Sequence, residues 1–110
     1  MVNFAMPSAA ALALASFTAA QFQISCSTSF ASRCGSEWVR LGTPSNIRQL
    51  QDLVRETTGR EPTADQARNM VFTCTLARVL EFTRACQAGQ CIRGAGDGVD
   101  TCSGNELPWP

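Results

Sequence analysis

The run Thr63-Ala-Asp-Gln-Ala-Arg-Asn-Met-Val-Phe-Thr-Cys-Thr-Leu-Ala-Arg-Val-Leu-Glu-Phe-Thr-Arg-Ala-Cys-Gln87 decides how this chain is read. Thr63 with Gln66 three residues later is a capping box, and Pro62 precedes it. No Gly or Pro interrupts residues 64–87. At helical spacing, Met70, Val71, Cys74 and Ala77 form one apolar stripe, and Phe72, Leu76, Val79 and Leu80 another. The run is therefore expected as a central helix over 64–87 with neighbours on two sides and Gly89 as its stop. At 1.5 Å per residue it would span about 36 Å, so a bend or an earlier end near Arg84 is expected.

Working outward, the segment before it also reads as a helix, over 44–57. Thr43 is placed as cap and Pro44 at the first position, where a missing N–H costs nothing. Ile47, Leu50, Leu53 and Val54 share one face, Arg48 and Asp52 stand at pairing distance, and Gly59 offers a left-handed end. Earlier still, Gln21–Ser25 alternates polar and apolar as a short strand does, and 26–35 reads as a loop. Period alone leaves Glu37-Trp38-Val39-Arg40-Leu41 open between strand and helical turn. After Gly89 the tail is Gly-rich, with 91–93 and 99–101 as arms of a hairpin. The expected fold is mainly α to α+β: two antiparallel helices crossed by short strands from the N-terminal and Gly-rich C-terminal segments.

Residues 1–20 carry no charged side chain, and Ala9–Phe17 is an apolar run of signal-peptide length. Thr18 and Ala20 suit a cleavage site after Ala20, leaving one domain over 21–110. The apolar stretch is short of the ~20 residues a bilayer span needs, so no stable membrane anchor is expected. All six cysteines (Cys26, Cys34, Cys74, Cys86, Cys91 and Cys102) lie beyond that site. An even set in a short exported chain implies three disulfides. At about 2–4 kcal/mol each, they supply stabilisation comparable to a small domain's whole net stability. Cys74 and Cys86, twelve positions apart on one expected helix, cannot bridge each other, so each is assigned a partner among Cys26, Cys34, Cys91 and Cys102.

Composition excludes several functions. Nine arginines balance nine acids, and neither Lys nor His is present. A zero net charge gives no field toward nucleic acid or an anionic membrane. Without histidine there is no Ser-His-Asp or Cys-His catalytic pair and no His-ligated metal. Gly94-Ala-Gly-Asp-Gly98 lacks the Lys of a phosphate loop and the carboxylates of a calcium loop, and reads as a turn. No cofactor and no metal are expected. Glu37, Glu81, Asp97 and Asp100 stand outside the helix-surface pattern, with Glu81 expected to pair with Arg78 or Arg84. No pair of them singles out an enzyme. Two tryptophans are candidate partner contacts: Trp109, between prolines in the tail, and Trp38, which reads as core first.

The leader ending Ala-Leu-Ala-Ser-Phe-Thr-Ala-Ala20, the short mature chain and the six cysteines together resemble the small cysteine-rich secreted proteins of filamentous fungi. Many of these are effectors. The resemblance implies an extracellular protein that works by binding and not by chemistry; the expected form is a monomer, and the expected partner a host or competitor protein or glycan. Elicitins, the helical lipid carriers of oomycetes, share the Cys86–Cys91 spacing, but the other intervals (8, 40, 12 and 11) differ. Killer-toxin α/β sandwiches are similar in size without a shared cysteine pattern. The alternatives are a membrane-active toxin, disfavoured by the missing positive charge, and a carrier of an apolar ligand, which needs an enclosed apolar cavity of ~300 Å³ or more.

Overall fold

A computed structural model describes residues 23–94 and 99–109. The expected cleavage site, the first residues of the Gln21–Ser25 strand, and Asp97 lie outside the described residues. Among the described residues the order is β1 (Ser32–Cys34), α1 (Gly35–Arg40), α2 (Ile47–Thr58), α3 (Ala64–Arg68), β2 (Met70–Cys74), β3 (Leu80–Cys86), β4 (Cys91–Ile92), β5 (Thr101–Cys102) and β6 (Glu106–Leu107). Strands β1-β2-β3-β6 form an antiparallel sheet in that order, and β4-β5 a second, two-stranded one.

The long central helix does not form, which corrects the expected fold from a two-helix scaffold to a mixed α+β one. The capping box is present: Thr63 Oγ1 accepts from Gln66 N at 3.1 Å, and Gln66 Oε1 accepts from Thr63 N at 2.9 Å. It starts only the five-residue α3. From Met70 onward Val, Phe and Thr dominate, residues that suit a pleated, half-buried surface. They form the hairpin β2–β3, with Phe72 opposite Phe82 and Cys74 opposite Leu80. The two apolar stripes are consequently split between strands and turn, and Leu76 and Ala77 are exposed.

The hairpin turns without Gly or Pro. Arg78 N donates to Thr75 O and Thr75 N to Val79 O, both at 2.9 Å, and Arg78 takes φ +65°. A three-residue hairpin loop needs one left-handed position, and here an arginine fills it. The guanidinium donates to Ser27 O at 3.0 Å, and Cys26 N donates to Arg78 O at 3.0 Å. These bonds tie the turn to the N-terminal segment, whose expected strand reduces to a single bridge, Ser25 to Val79.

The first expected helix is present but starts later, at Ile47. Asn46 is its cap, accepting from Gln49 N at 3.2 Å, while Pro44 is buried in the preceding loop after a cis bond. Gly59, at φ +84°, ends it as expected, and Arg48 meets Asp52 at 3.2 Å. Of the segment left open between strand and helix, Glu37–Arg40 lie in α1 and Leu41 caps it, while β1 and the start of α1 take up the end of the expected 26–35 loop. Gly35 is needed there because a Cβ would stand 2.1 Å from the carbonyl oxygen of Ala67. The core lies between the helices and one face of the large sheet: Trp38, Leu50, Leu53, Val54, Ala67, Met70, Phe72, Leu80 and Ala85. Phe72 and Phe82 meet edge to face at 6.0 Å.

Three disulfides form: Cys26–Cys74, Cys34–Cys91 and Cys86–Cys102. Cys74 and Cys86 each bond to one of the flanking cysteines, as expected, although they lie on strands and not on a helix. The tail arms pair Cys91 with Cys102 and Ile92 with Thr101. Val71 is buried outside the main cluster, opposite Cys34 in register. Two of the bridges therefore bind the tail sheet over this part of the large sheet and leave the end near the β2–β3 turn uncovered.

Candidate functional site

Three surface regions carry chemistry. The first surrounds α1. Glu37 is buried, and both its carboxylate oxygens accept from Arg40, with Arg40 Nε at 2.9 Å. Arg93 Nε stands 3.6 Å from the same group. The Arg40 hydrogen bonds hold the Glu37 carboxyl below the usual carboxylate range against the opposing effect of burial, and Arg93 and Arg33 add to the lowering. Glu37 correspondingly raises Arg40. A general acid for glycoside cleavage requires the reverse shift. Asp100, also buried, accepts from Cys34 N and Gly94 N, both at 2.9 Å. Both carboxylates hold the tail against α1 and β1.

The second region is an open groove of about 420 Å³ lined by Phe82, Arg84, Glu106, Leu107 and Trp109. Its polar rim is paired, with Arg84 Nε 3.4 Å from Glu106. Trp109 is half-buried: its indole N–H donates to Thr58 Oγ1 at 3.1 Å, and the Arg60 guanidinium covers its ring at 4.2 Å. Trp38 is core, with its indole N–H donating to Phe72 O at 2.9 Å. The two tryptophans are thus engaged within the fold with different partners, Trp38 in the core cluster and Trp109 packed against it.

The third region is the uncovered end of the large sheet, a shallow depression of about 330 Å³ lined by Phe30, Thr73, Thr75, Leu76, Glu81 and Thr83. Thr73 and Thr83 give it a floor of hydroxyls, and Ser32, outside the lining, continues their row. Ser32 Oγ lies 2.8 Å from Thr73 Oγ1, which lies 2.6 Å from Thr83 Oγ1. A bulge opposite Val71/Phe72 breaks the alternation of β3, so Thr83 and Arg84 are consecutive and both exposed. At the sides stand Phe30 and Leu76, 68% and 73% exposed, the two most exposed large apolar side chains among the described residues. Phe30 sits at φ +68°, an outlier for an aromatic residue. Its N–H donates to Cys74 O at 2.6 Å, beside the Cys26–Cys74 bridge. The neighbouring Arg78 is the only other non-glycine residue at positive φ among those described. Strained backbone of this kind concentrates at ligand-contacting positions.

Glu81 lines this depression, and among the described residues it makes no ion pair with Arg78 or Arg84, contrary to its expected pairing. The sequence points to none of Phe30, Ser32, Thr73 and Thr83, and it places Leu76 only in an apolar helix stripe. The alternation Phe72-Thr73-Cys74-Thr75 is the available signal, and the helical pattern masks it. The open shape of this depression and of the groove differs from the enclosed apolar cavity an apolar-ligand carrier needs. No group of carboxylates and cysteines suited to a metal, and no helix long and apolar enough to cross a membrane, occurs among the described residues. Searches of family models, curated proteins and solved structures return no match for this chain.

Proposed function

We propose that this is a secreted, effector-like protein, cross-linked by three disulfides, that acts without catalysis by binding a host or competitor macromolecule at the Phe30–Leu76 face. The observation that carries this is Phe30. A large aromatic ring is turned to solvent on a strained backbone, in a segment fixed by Cys26–Cys74 and by the Phe30–Cys74 backbone bond. Folding alone gives no return for that arrangement, since an exposed ring contributes little burial and the left-handed backbone costs about 1–2 kcal/mol. A rigid, preorganised apolar contact loses little entropy on binding, which supports a recognition role. The leader-like first twenty residues and the oxidised cysteines support export through an oxidising compartment.

The test has two parts. The full chain is expressed in a yeast, and the protein in the medium is sequenced and assayed for thiols; an N-terminus at Gln21 and no free thiol are expected. The secreted protein is then footprinted by carbene labelling on intact plant and fungal cells, with protection expected at Phe30 and Leu76. Retention inside the cell with free thiols, or protection confined to other surfaces, overturns the proposal. Leakage from dye-loaded liposomes would replace it with the membrane-toxin reading.

A further inference from the structure

We infer that the depression between Phe30 and Leu76 takes a neutral carbohydrate, one or two sugar units of a glycan, with a ring face on Phe30 and hydroxyls on Thr73 and Thr83, the part of the Ser32–Thr73–Thr83 row that lines it. The inference rests on the binding role proposed above and names its ligand class. The hydroxyl arithmetic comes first. Three hydroxyls carry three donors and six lone pairs. The two contacts at 2.8 and 2.6 Å consume two donors and two lone pairs, leaving one donor and four acceptor positions unused within the row. Either end of the row can hold the free proton, because a hydroxyl chain reverses direction by rotating its O–H bonds. A ligand that offers donors and acceptors side by side meets such a row in either sense, and a sugar's hydroxyls do this. Glu81 beside the row is an acceptor-only group that can receive two neighbouring hydroxyls at once.

Charge narrows the ligand class. No guanidinium lines the depression: Arg78 is turned to Ser27 O and Arg84 to Glu106. Glu81 is the lone charge, so a phosphate, a sulfate or an anionic lipid headgroup would meet repulsion. The apolar part is small, one ring and one isobutyl group, which matches the C–H face of a pyranose. It lacks the Trp, Tyr and Arg anchors that dominate protein interfaces. At about 330 Å³ the depression stands at the lower end of small-ligand sites. Its walls are braced by the Cys26–Cys74 bridge and the Thr75–Val79 turn, so the site is formed before the ligand arrives.

The test is titration of isotope-labelled, oxidised protein from the full-length expression with neutral hexasaccharides of glucose, N-acetylglucosamine and mannose, followed residue by residue by NMR. Saturable shifts centred on Phe30, Thr73 and Thr83 are expected with at least one of the three. The affinity should stay constant from about 0.05 to 0.5 M salt, because no charge pair forms. Thr73→Val, which keeps the shape and removes the hydroxyl, should weaken binding about threefold to tenfold, as should Phe30→Ala. Unchanged thermal unfolding of both variants would separate lost contacts from lost fold. If none of the sugars shifts these residues at millimolar concentration, the carbohydrate assignment falls. Footprinting on cells then decides the broader proposal: protection at Phe30 and Leu76 by a protein would leave it standing, and protection elsewhere would remove it as well.

Discussion

The carboxylate of Asp100 accepts the backbone N–H of Cys34 at 2.9 Å across 66 residues of chain, and its other oxygen accepts Gly94 N at the same distance. One buried side chain thus holds the tail loop to the junction of β1 and α1, next to the Cys34–Cys91 bridge. Asp100→Ala leaves two inward N–H groups without partners. The expected loss is about 2–3 kcal/mol of stability, read as a lower denaturation midpoint at unchanged m-value. Amide exchange should rise first in β4 and β5, while the Phe30 face stays protected.

Gly35→Ala should be severely destabilising for a residue so small. The new methyl would enter the space of the Ala67 carbonyl and touch Leu50, so α1 must move away from α3. A cost of about 1–3 kcal/mol is expected for such overpacking, since a backbone carbonyl yields less readily than a side chain. Thermal unfolding measures it directly, and Gly104→Ala, whose Cβ would meet only the end of a glutamine side chain, serves as the control.

Acid sensitivity follows from Glu37. Its folded pKa lies below the unfolded value, because Arg40 bonds to the ionised form. The unfolded chain therefore takes up the proton first as pH falls. The stabilisation is complete above the ordinary carboxylate pKa and drains away as pH drops through the lower, folded value. Stability measured from neutral pH downward should decline below about pH 4.5. In Glu37→Gln the neutral-pH stability should be lower and the acid decline shallower. Equal acid slopes in the two proteins would remove Glu37 as the cause.

Phe30→Asn tests the strained position. Asparagine adopts left-handed backbone more readily than phenylalanine, and an exposed ring contributes little to the core. The variant should match or exceed the parent in stability, by up to about 1 kcal/mol, while losing the proposed binding. A clear loss of stability in urea unfolding would mean that the ring supports the fold.

Replacing Cys26 and Cys74 together by Ser removes a cross-link spanning 48 residues. Chain entropy sets the cost at about 4 kcal/mol, against about 3 for the 16-residue Cys86–Cys102 link. The first variant should also release the segment that holds Phe30, which faster exchange of the Phe30 amide would report.

Some local signals in the sequence carry through to the structure, although the Thr43–Pro44 start gives way to an Asn46 cap three residues on. Gly59 ends a helix because only a left-handed residue closes it there, and the Thr63–Gln66 box starts one because both partners lie within a single turn. The cysteine count likewise leads to three bridges, and the tail hairpin forms with its second arm at Thr101–Cys102 in place of 99–101. What happens after the box is not local. From Met70 to Cys86 helical spacing and strand alternation both fit the apolar residues, and no Gly or Pro marks the turn, since Arg78 bears the left-handed position itself. The choice went to the hairpin because β1 and β6, distant in sequence, supply backbone partners and the helices supply a cover for Phe72 and Leu80. The Ser32–Thr73–Thr83 row and its two apolar flanks arise from that pairing and from the bulge at Thr83. By itself, then, the sequence determined the Thr63–Gln66 box, the Gly59 helix end and the disulfide-forming cysteines, all properties of residue type or short spacing. Strand register and the face it creates were decided only in three dimensions, where hydrogen bonds between distant segments outweigh the periodicity within one.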